Sequence, residues 1–391
     1  MATDTRKKKR SASSGNRKKT SGSRKMSARE RARRKRKRIV LFVLEIFVLL
    51  LMVIVLYGVL KTEKVGKMDL KEENIVINEE LKQQLEIADN EEATDGEPAT
   101  GAAAMKGYRN IALFGVDSTT GELTKKTRSD TIIIASINQD TGECKLVSVY
   151  RDTYLNLGND SYNKCNAAYA KGGPEQAINM LNMNMDLNIT DFITVGFAGL
   201  TDTIDALGGV YIDVDEAEIT HLNNYQLCIA EDLKRDYTPV KQTGYQLLNG
   251  LQATGYCRIR YTAGDDFKRT ERQREVIQAI ADQAKKADPA TLNKIANDVF
   301  SEVYTSLDLS EIVELLSDVT KYSITETGGF PVDGLRATGT IGSKGSCVVP
   351  KDLDGSVQWL HGFLYGDWEY EPSSSVKTYS DKIKKDTSPY V

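Results

Sequence analysis

Residues 109–152 read RNIALFGVDSTTGELTKKTRSDTIIIASINQDTGECKLVSVYRD. Three apolar runs lie within it, Asn110 to Val116, Thr131 to Ile137 and Lys145 to Val149, and each is continuously hydrophobic. A strand with one wet face alternates apolar and polar residues, whereas a strand buried on both faces does not. The stretch therefore predicts the middle of a sheet covered on both sides. Each run also carries charge at one end: Asp117 after the first, Arg128 and Asp130 before the second, Arg151 and Asp152 after the third.

Further apolar runs at Phe192 to Phe197 and Val210 to Val214 read as strands. Helical periodicity is expected over Pro174 to Met185, Ala198 to Leu207 (stopped by Gly208 and Gly209), Asp215 to Tyr225, Gly244 to Thr254 and Arg269 to Lys286. Residues 288–321 suggest two more helices, Tyr322 to Pro331 and Gly339 to Val349 further strands, and Asp352 to Leu364 a closing helix. Strands mixed with helices in this order predict an α/β domain, a three-layer α-β-α sandwich with a central mixed sheet, spanning residues 107–375. Residues 376–391 are expected to form a loose C-terminal tail.

The 52 Lys+Arg and 55 Asp+Glu nearly cancel, but they are unevenly distributed. Residues 1–38 hold 18 of the basic residues and only Asp4 and Glu30 as acids, a composition that predicts a disordered basic tail. Residues 39–60, IVLFVLEIFVLLLMVIVLYGVL, are apolar apart from Glu45 and long enough to cross a hydrocarbon core of ~30 Å. They read as one transmembrane helix, an anchor rather than a cleaved signal. The basic flank predicts a cytoplasmic N-terminus and an extracytoplasmic remainder. Residues 61–106 read as an acidic extracytoplasmic linker, with a short helix possible over 70–88. Because everything after residue 60 is strongly acidic, general attraction to nucleic acid is not expected, and clustered arginines there call for a local anionic ligand.

Those arginines recur in short polar motifs. In GYCRIRYTAGDDFKRTERQREVI, Arg258 and Arg260 stand two apart and would project to one side of an extended backbone. Asp265 or Asp266 would cap a helix whose one face carries Arg269, Arg272 and Gln273, with Arg274, Glu271 and Glu275 on a solvated face. Together with Arg128 and Arg151 these predict a pyrophosphate site, since guanidinium forks match phosphate oxygens bidentately. Asn166 in YNKCNAAYAKGG caps a helix or orients a phosphate. Asp117 and Asp130 could approach one hard cation, for which Mg²⁺ is suited. The cysteines, Cys144, Cys165, Cys228, Cys257 and Cys347, show no ligand spacing, a Cys228–Cys257 disulfide being the one pairing considered. With His221 and His361 as the only histidines, neither a zinc site nor a serine triad is supported.

The motifs RNIALFGVD, TRSDTIIIASIN, SVYRDTYL, KCNAAYAKGG, GFAGLTDTIDALGGVYIDV, LNGLQATGYCRIRY and DDFKRTERQREVI, in that order after one apolar span, resemble the LytR-CpsA-Psr family. The resemblance implies a membrane-anchored enzyme that transfers anionic glycopolymers, of teichoic acid or capsular polysaccharide type, from a polyprenyl-pyrophosphate carrier to peptidoglycan. It implies that Arg128, Arg151, Arg258, Arg260 and either Arg269 or Arg272 bind the pyrophosphate, and that Asp117 and Asp130 hold Mg²⁺. Ile189, Phe192, Val195, Phe197 and Leu200 would line a groove for the lipid tail. Asp152 and Asp266 are the candidate general bases. Two other readings stay open at this point, a cell-envelope regulator and a polyprenyl-pyrophosphate hydrolase.

Overall fold

The computed structural model describes residues 66–391 except 91–98, 119–121, 125, 261, 263, 299–301, 389 and 391. The expected basic tail and transmembrane helix lie outside the described residues. Among those described, no helix is long and apolar enough to cross a membrane.

Among the described residues the central sheet has seven strands. In chain order these are β1 (Gly66–Lys67), β2 (Tyr108–Val116), β3 (Ser129–Asn138), β4 (Glu143–Val149), β7 (Asp191–Val195), β10 (Val303–Thr305) and β11 (Ser323–Phe330), while β5 (Tyr154–Asn156) with β6 (Tyr162–Lys164), and β8 (Val210–Val214) with β9 (Gly244–Leu248), form separate pairs. The spatial order in the central sheet is β1-β10-β7-β2-β3-β4-β11. The sheet is mixed: β2 pairs with β7 and β4 with β11 in parallel, whereas β3 is antiparallel to both β2 and β4. The carboxyl ends of β2, β4, β7 and β11 therefore share one edge with the start of β3, and ligands of open α/β sheets are met at such an edge.

Continuous burial along the central strands has the cause the sequence suggested. Ile132 and Ile134 pack with Ala112, Phe114 and Val147 on one face, whereas Ile133, Ala135 and Leu146 pack on the other. The first face is covered by the helix Asn166–Met185 through Ala168, Tyr169, Ile178 and Leu181, the second by the helix Asp265–Ala284 through Ile277. Each fully buried isoleucine contributes about 1.5–3 kcal/mol relative to exposure. Gly173 kinks the first helix at φ +71°, where a Cβ would meet the carbonyl oxygen of Thr124 at 2.5 Å.

Three expectations are corrected. Gly244 to Thr254 is not one helix: Gly244–Leu248 is a strand, β9, paired antiparallel with β8 (Val210–Val214), and a helix, Gly250–Tyr256, starts only after the Asn249 cap. Its alternating Tyr245, Leu247 and buried Leu248 pattern is a two-residue period. The acidic segment before residue 107 is not simply a spacer, because the helices Glu79–Asn90 and Ala102–Met105 seat Leu81, Ala102 and Met105 in the main core. Nor is the C-terminus loose: Ser374–Asp386 is a helix capped by Ser373, and Val376, Ser380 and Ile383 at helical spacing are buried.

The cysteines are free thiols, with Cys144, Cys165 and Cys347 buried and Cys228 exposed, so no Cys228–Cys257 bridge forms.

Candidate active site

A cavity of about 340 Å³ opens at the sheet edge, bounded by Asp117, Asp130, Arg151, Arg258, Arg260 and Arg269, with Gln273 behind them. Sheet register accounts for its floor. Extending the Ile133↔Ser148 pairing of β3 and β4 by three residues sets Asp130 opposite Arg151. The β2–β3 pairing, shifted by a bulge at Val116↔Ser129, brings Asp117 alongside.

The arginines are spaced by carboxylates rather than clustered bare. Arg151 Nη1 donates to Asp130 Oδ1 at 2.7 Å, and its Nε donates to Asp266 Oδ2 at 3.2 Å. Asp266 also stands 3.5 Å from Arg260 and 3.3 Å from Arg269, so one carboxylate ties three guanidiniums together. Arg260 reaches Asp130 at 3.6 Å and Arg258 reaches Asp117 at 3.9 Å. Arg258 is further held over the rings of Phe197 (4.5 Å) and Tyr225 (5.3 Å). Four guanidiniums against the three carboxylates Asp117, Asp130 and Asp266 leave a positive surplus before any ligand arrives.

Arg258 and Arg260 do converge on the cavity, but not along an extended backbone. Residues 257–259 form a turn after the helix Gly250–Tyr256, with Arg258 N bonded to Gly255 O and Ile259 N to Tyr256 O, and Ile259 is buried between the two arginines. The following helix starts after Gly264, whose φ of +91° is one that L side chains rarely adopt, and neither Asp265 nor Asp266 is its cap. Asp266 is left to face the arginines.

Helical geometry separates Arg269 from Arg272. At 3.6 residues per turn, residue i+4 lies about 40° to one side of residue i and residue i+3 about 60° to the other, so Gln273 stays with Arg269 on the cavity wall while Arg272, about 100° round from Gln273, turns inward. Arg272, 2% exposed, donates Nε to Glu218 Oε1 at 2.7 Å and Nη2 to Thr262 Oγ1 at 2.8 Å. Glu218 in turn accepts from the backbone N–H of Asp215 in a capping box. Arg272 is thus a buried brace for Ile259 and Thr262 and does not line the cavity. Arg274, expected on a solvated face, is 8% exposed and donates to Ser148 Oγ at 2.7 Å. The long helix crosses the sheet closely enough for its second side to be covered as well.

Arg128 and Asn166 lie apart from the cavity, beside a neighbouring depression with Asn163, Lys164, Ser343 and Lys344. Asp152 pairs with Lys164 at 3.1 Å and stands 3.7 Å from Arg151. Of the expected lipid-groove residues, Val195 and Phe197 line the cavity, Leu200 packs against the cluster of Ile204, Leu222 and Tyr256, and Ile189 and Phe192 are wholly buried core. Tyr225 and Thr254 line the cavity and escaped the sequence reading, since no local motif marks residues that only tertiary packing brings to the wall.

The guanidiniums differ electrostatically. Burial works against the charge of Arg151, but the carboxylates of Asp130 and Asp266 outweigh it and its pKa rises. For Arg269 burial wins, reinforced by repulsion from Arg151, and its pKa falls from 12.5 to about 10. Its Nε and the Oε1 of Gln273 are buried without hydrogen-bond partners. A buried, under-compensated cation with a spare donor is equipped for an anion. Among the described residues no group of three or more acidic, histidine or cysteine side chains is placed to hold a metal. The donor set that could do so is Asp117 with Asp130, two carboxylates that leave other positions to water and phosphate oxygens, as Mg²⁺ coordination allows.

The sequence model of the LytR_cpsA_psr family matches residues 70–341. Biofilm regulatory protein A of Streptococcus mutans is 30% identical over 305 residues, covering 69% of this chain and 72% of that protein. The polyisoprenyl-teichoic acid–peptidoglycan teichoic acid transferase TagU of Oceanobacillus iheyensis is 32% identical over 217 residues, 54% of this chain and 62% of TagU. The crystal structure of TagV from Bacillus subtilis superposes with a TM-score of 0.52 at 24% identity over 68% of this chain and 99% of that one, a likeness of fold. With its motifs in order and the family matched over most of its length, the chain belongs to the LytR-CpsA-Psr family.

Proposed function

We propose that this protein is a phosphotransferase that moves an anionic glycopolymer from a polyprenyl-pyrophosphate carrier to a hydroxyl of peptidoglycan. The observation that carries the reading is the convergence of Arg151, Arg258, Arg260 and Arg269 on one cavity with Asp117 and Asp130 at its floor. The teichoic acid transferase activity for which TagU is named supports it.

The reaction needs little covalent participation from protein. An acceptor oxygen attacks the phosphorus that bears the glycan, a new P–O bond forms, the bridging P–O bond breaks, and polyprenyl phosphate leaves with the electron pair. Phosphoryl transfer of this kind is accelerated by positioning and by charge stabilisation. Arg258, stacked on Phe197 and Tyr225, and Arg260, spanned by Asp130 and Asp266, are fixed before the ligand binds. Arg269 gains most from a phosphate oxygen, because the anion offsets the burial that depresses its pKa. Asp266, engaged by three guanidiniums, acts as a positioning residue, and in a loose transition state the acceptor proton leaves late, to solvent water or to the departing polyprenyl phosphate. A Mg²⁺ ion held by Asp117 and Asp130 would supply further neutralisation of charge on the leaving phosphate.

The apolar span 39–60 would anchor the enzyme with its basic tail in the cytoplasm and the site outside, where peptidoglycan is. The test is to incubate full-length protein in detergent with a glycan-labelled polyprenyl-pyrophosphate donor and isolated peptidoglycan. Label should pass to peptidoglycan as polyprenyl phosphate is released. Release without labelling would establish the hydrolase instead, and no release would remove the whole reading.

A further inference from the structure

A second and larger groove, of about 820 Å³, runs along the other side of the helix Asp265–Ala284 and is closed opposite by the β8–β9 hairpin. Lys268, Glu271, Glu275, Gln278 and Asp282 line it along that helix, a run of about 21 Å at 1.5 Å per residue, with Lys286 just past the helix end. Its far wall carries Tyr211 and Tyr245, whose rings stack at 5.4 Å and 19° while remaining 44% and 74% exposed. Two exposed aromatic rings laid parallel on one hairpin face bury little against the protein, and such a platform stays apolar in water only at a cost.

The polar groups around the platform are mostly carboxylates: Asp213, Asp215, Glu271, Glu275 and Asp282. Lys268 is neutralised by Glu271 at 3.0 Å. Arg274 also lines the groove, is more than nine-tenths buried, and keeps an Nε without a partner, a single donor for a sugar oxygen among five carboxylates. The groove therefore repels a polyanion, offers acceptors to hydroxyl and amide donors, and presents a flat apolar surface. That combination fits the C–H face and hydroxyl edge of an uncharged sugar chain, not the anionic donor polymer.

We infer that this groove seats the amino-sugar chain of the peptidoglycan acceptor, with Tyr211 and Tyr245 as its stacking platform. The inference rests on the proposed transferase reading for the identity of the chain. One helix serves both sites: Arg269 and Gln273 face the phosphate cavity, whereas Lys268, Glu271 and Glu275 face the groove. The acceptor strand is held beside the donor and selected by charge at the same time.

The experiment uses full-length protein in detergent and chitohexaose, a neutral N-acetylhexosamine oligomer, as the calorimetric probe, with binding of a polyprenyl pyrophosphate measured in parallel. Tyr245→Ala and Tyr211→Ala should each weaken chitohexaose binding by about tenfold. Tyr245→Phe, which keeps the ring, should stay near wild type, and polyprenyl-pyrophosphate binding should be unchanged in all three variants. Absence of chitohexaose binding by wild type, or equal binding by wild type and Tyr245→Ala, overturns the groove even if the lipid is bound. Tyr245-dependent binding by a protein that binds no polyprenyl pyrophosphate upholds a saccharide groove and removes the transferase reading instead.

Discussion

Arg151 and Asp130 meet at 2.7 Å because β3 and β4 are antiparallel and their register places the residue before one apolar run opposite the residue after the other. The pair joins the entrance of one strand to the exit of its neighbour, so the arginine-lined cavity is built on two paired strands of the central sheet. Asp130 also approaches Arg260, and through Asp266 the network extends to Arg269. Substitutions within this network should affect ligand binding more than folding, because its members line an open cavity.

Arg258→Ala and Arg260→Ala should each lower affinity for a polyprenyl-pyrophosphate ligand by on the order of tenfold to a hundredfold, the loss of a charge-assisted hydrogen bond of about 1.5–3 kcal/mol. Lysine should restore little, since a point charge cannot replace a planar fork, and at Arg258 it also gives up the guanidinium stack on Phe197. Equilibrium binding with thermal melts as control checks this. Wild-type affinity in Arg260→Lys would show that charge alone suffices.

Asp117→Ala should abolish metal-dependent turnover with little change in melting temperature, since the Asp117 side chain is 49% exposed and its ion pair to Arg258 is long. Activity titrated against Mg²⁺ and chelator is the measurement. Full activity of wild type in chelator would remove the metal from the reaction.

Arg272→Met should destabilise the fold by about 3–5 kcal/mol, because Glu218 would be left as a buried unpaired carboxylate. The double variant Arg272→Met with Glu218→Leu should recover much of that loss. Arg274→Ala should likewise lower stability, by about 1–3 kcal/mol, through the orphaned Ser148 hydroxyl and lost packing. Chemical denaturation of the four proteins tests both. An Arg274→Ala variant as stable as wild type would restore the solvated-face expectation.

His361 gives a pH dependence. It is wholly buried, its Nε2 lies 3.0 Å from Met185 O, its ring stacks on Tyr370 at 3.5 Å, and its Nδ1 has no partner. Burial pulls its pKa from 6.5 down to about 4. The unfolded chain therefore binds a proton that the folded one refuses across that window. Stability is intact above pH 6.5, falls as the pH drops toward 4 and levels off below it, with a slope of at most about 1.4 kcal/mol per pH unit. Urea midpoints at pH 7 and pH 4.5 should diverge more in wild type than in His361→Gln. Equal shifts would place the acid sensitivity elsewhere.

A periplasmic-type reporter fused after Val391 should be active and a cytoplasmic one silent, as the basic flank of the apolar span requires. The opposite pattern would reverse the topology.

Much was legible in the residues alone. Unbroken apolar runs at Asn110 to Val116, Thr131 to Ile137 and Lys145 to Val149 established a sheet covered on both faces, since side-chain period is a local property. Of the charged residues at their ends, Asp117, Asp130 and Arg151 line the arginine-rich cavity, because strand ends are where a backbone leaves the sheet. What could not be read was depth. Arg269, Arg272 and Arg274 stand within six residues on one helix, yet one lines the cavity, one braces Ile259 and Thr262 and one is pinned to Ser148. Likewise Arg128 falls outside the cavity that its motif neighbour Asp130 enters. The Tyr211–Tyr245 platform and the seating of Leu81 and Val376 in the core were equally hidden. Which side of a helix or strand is covered depends on elements a hundred or more residues away, and no local periodicity records them.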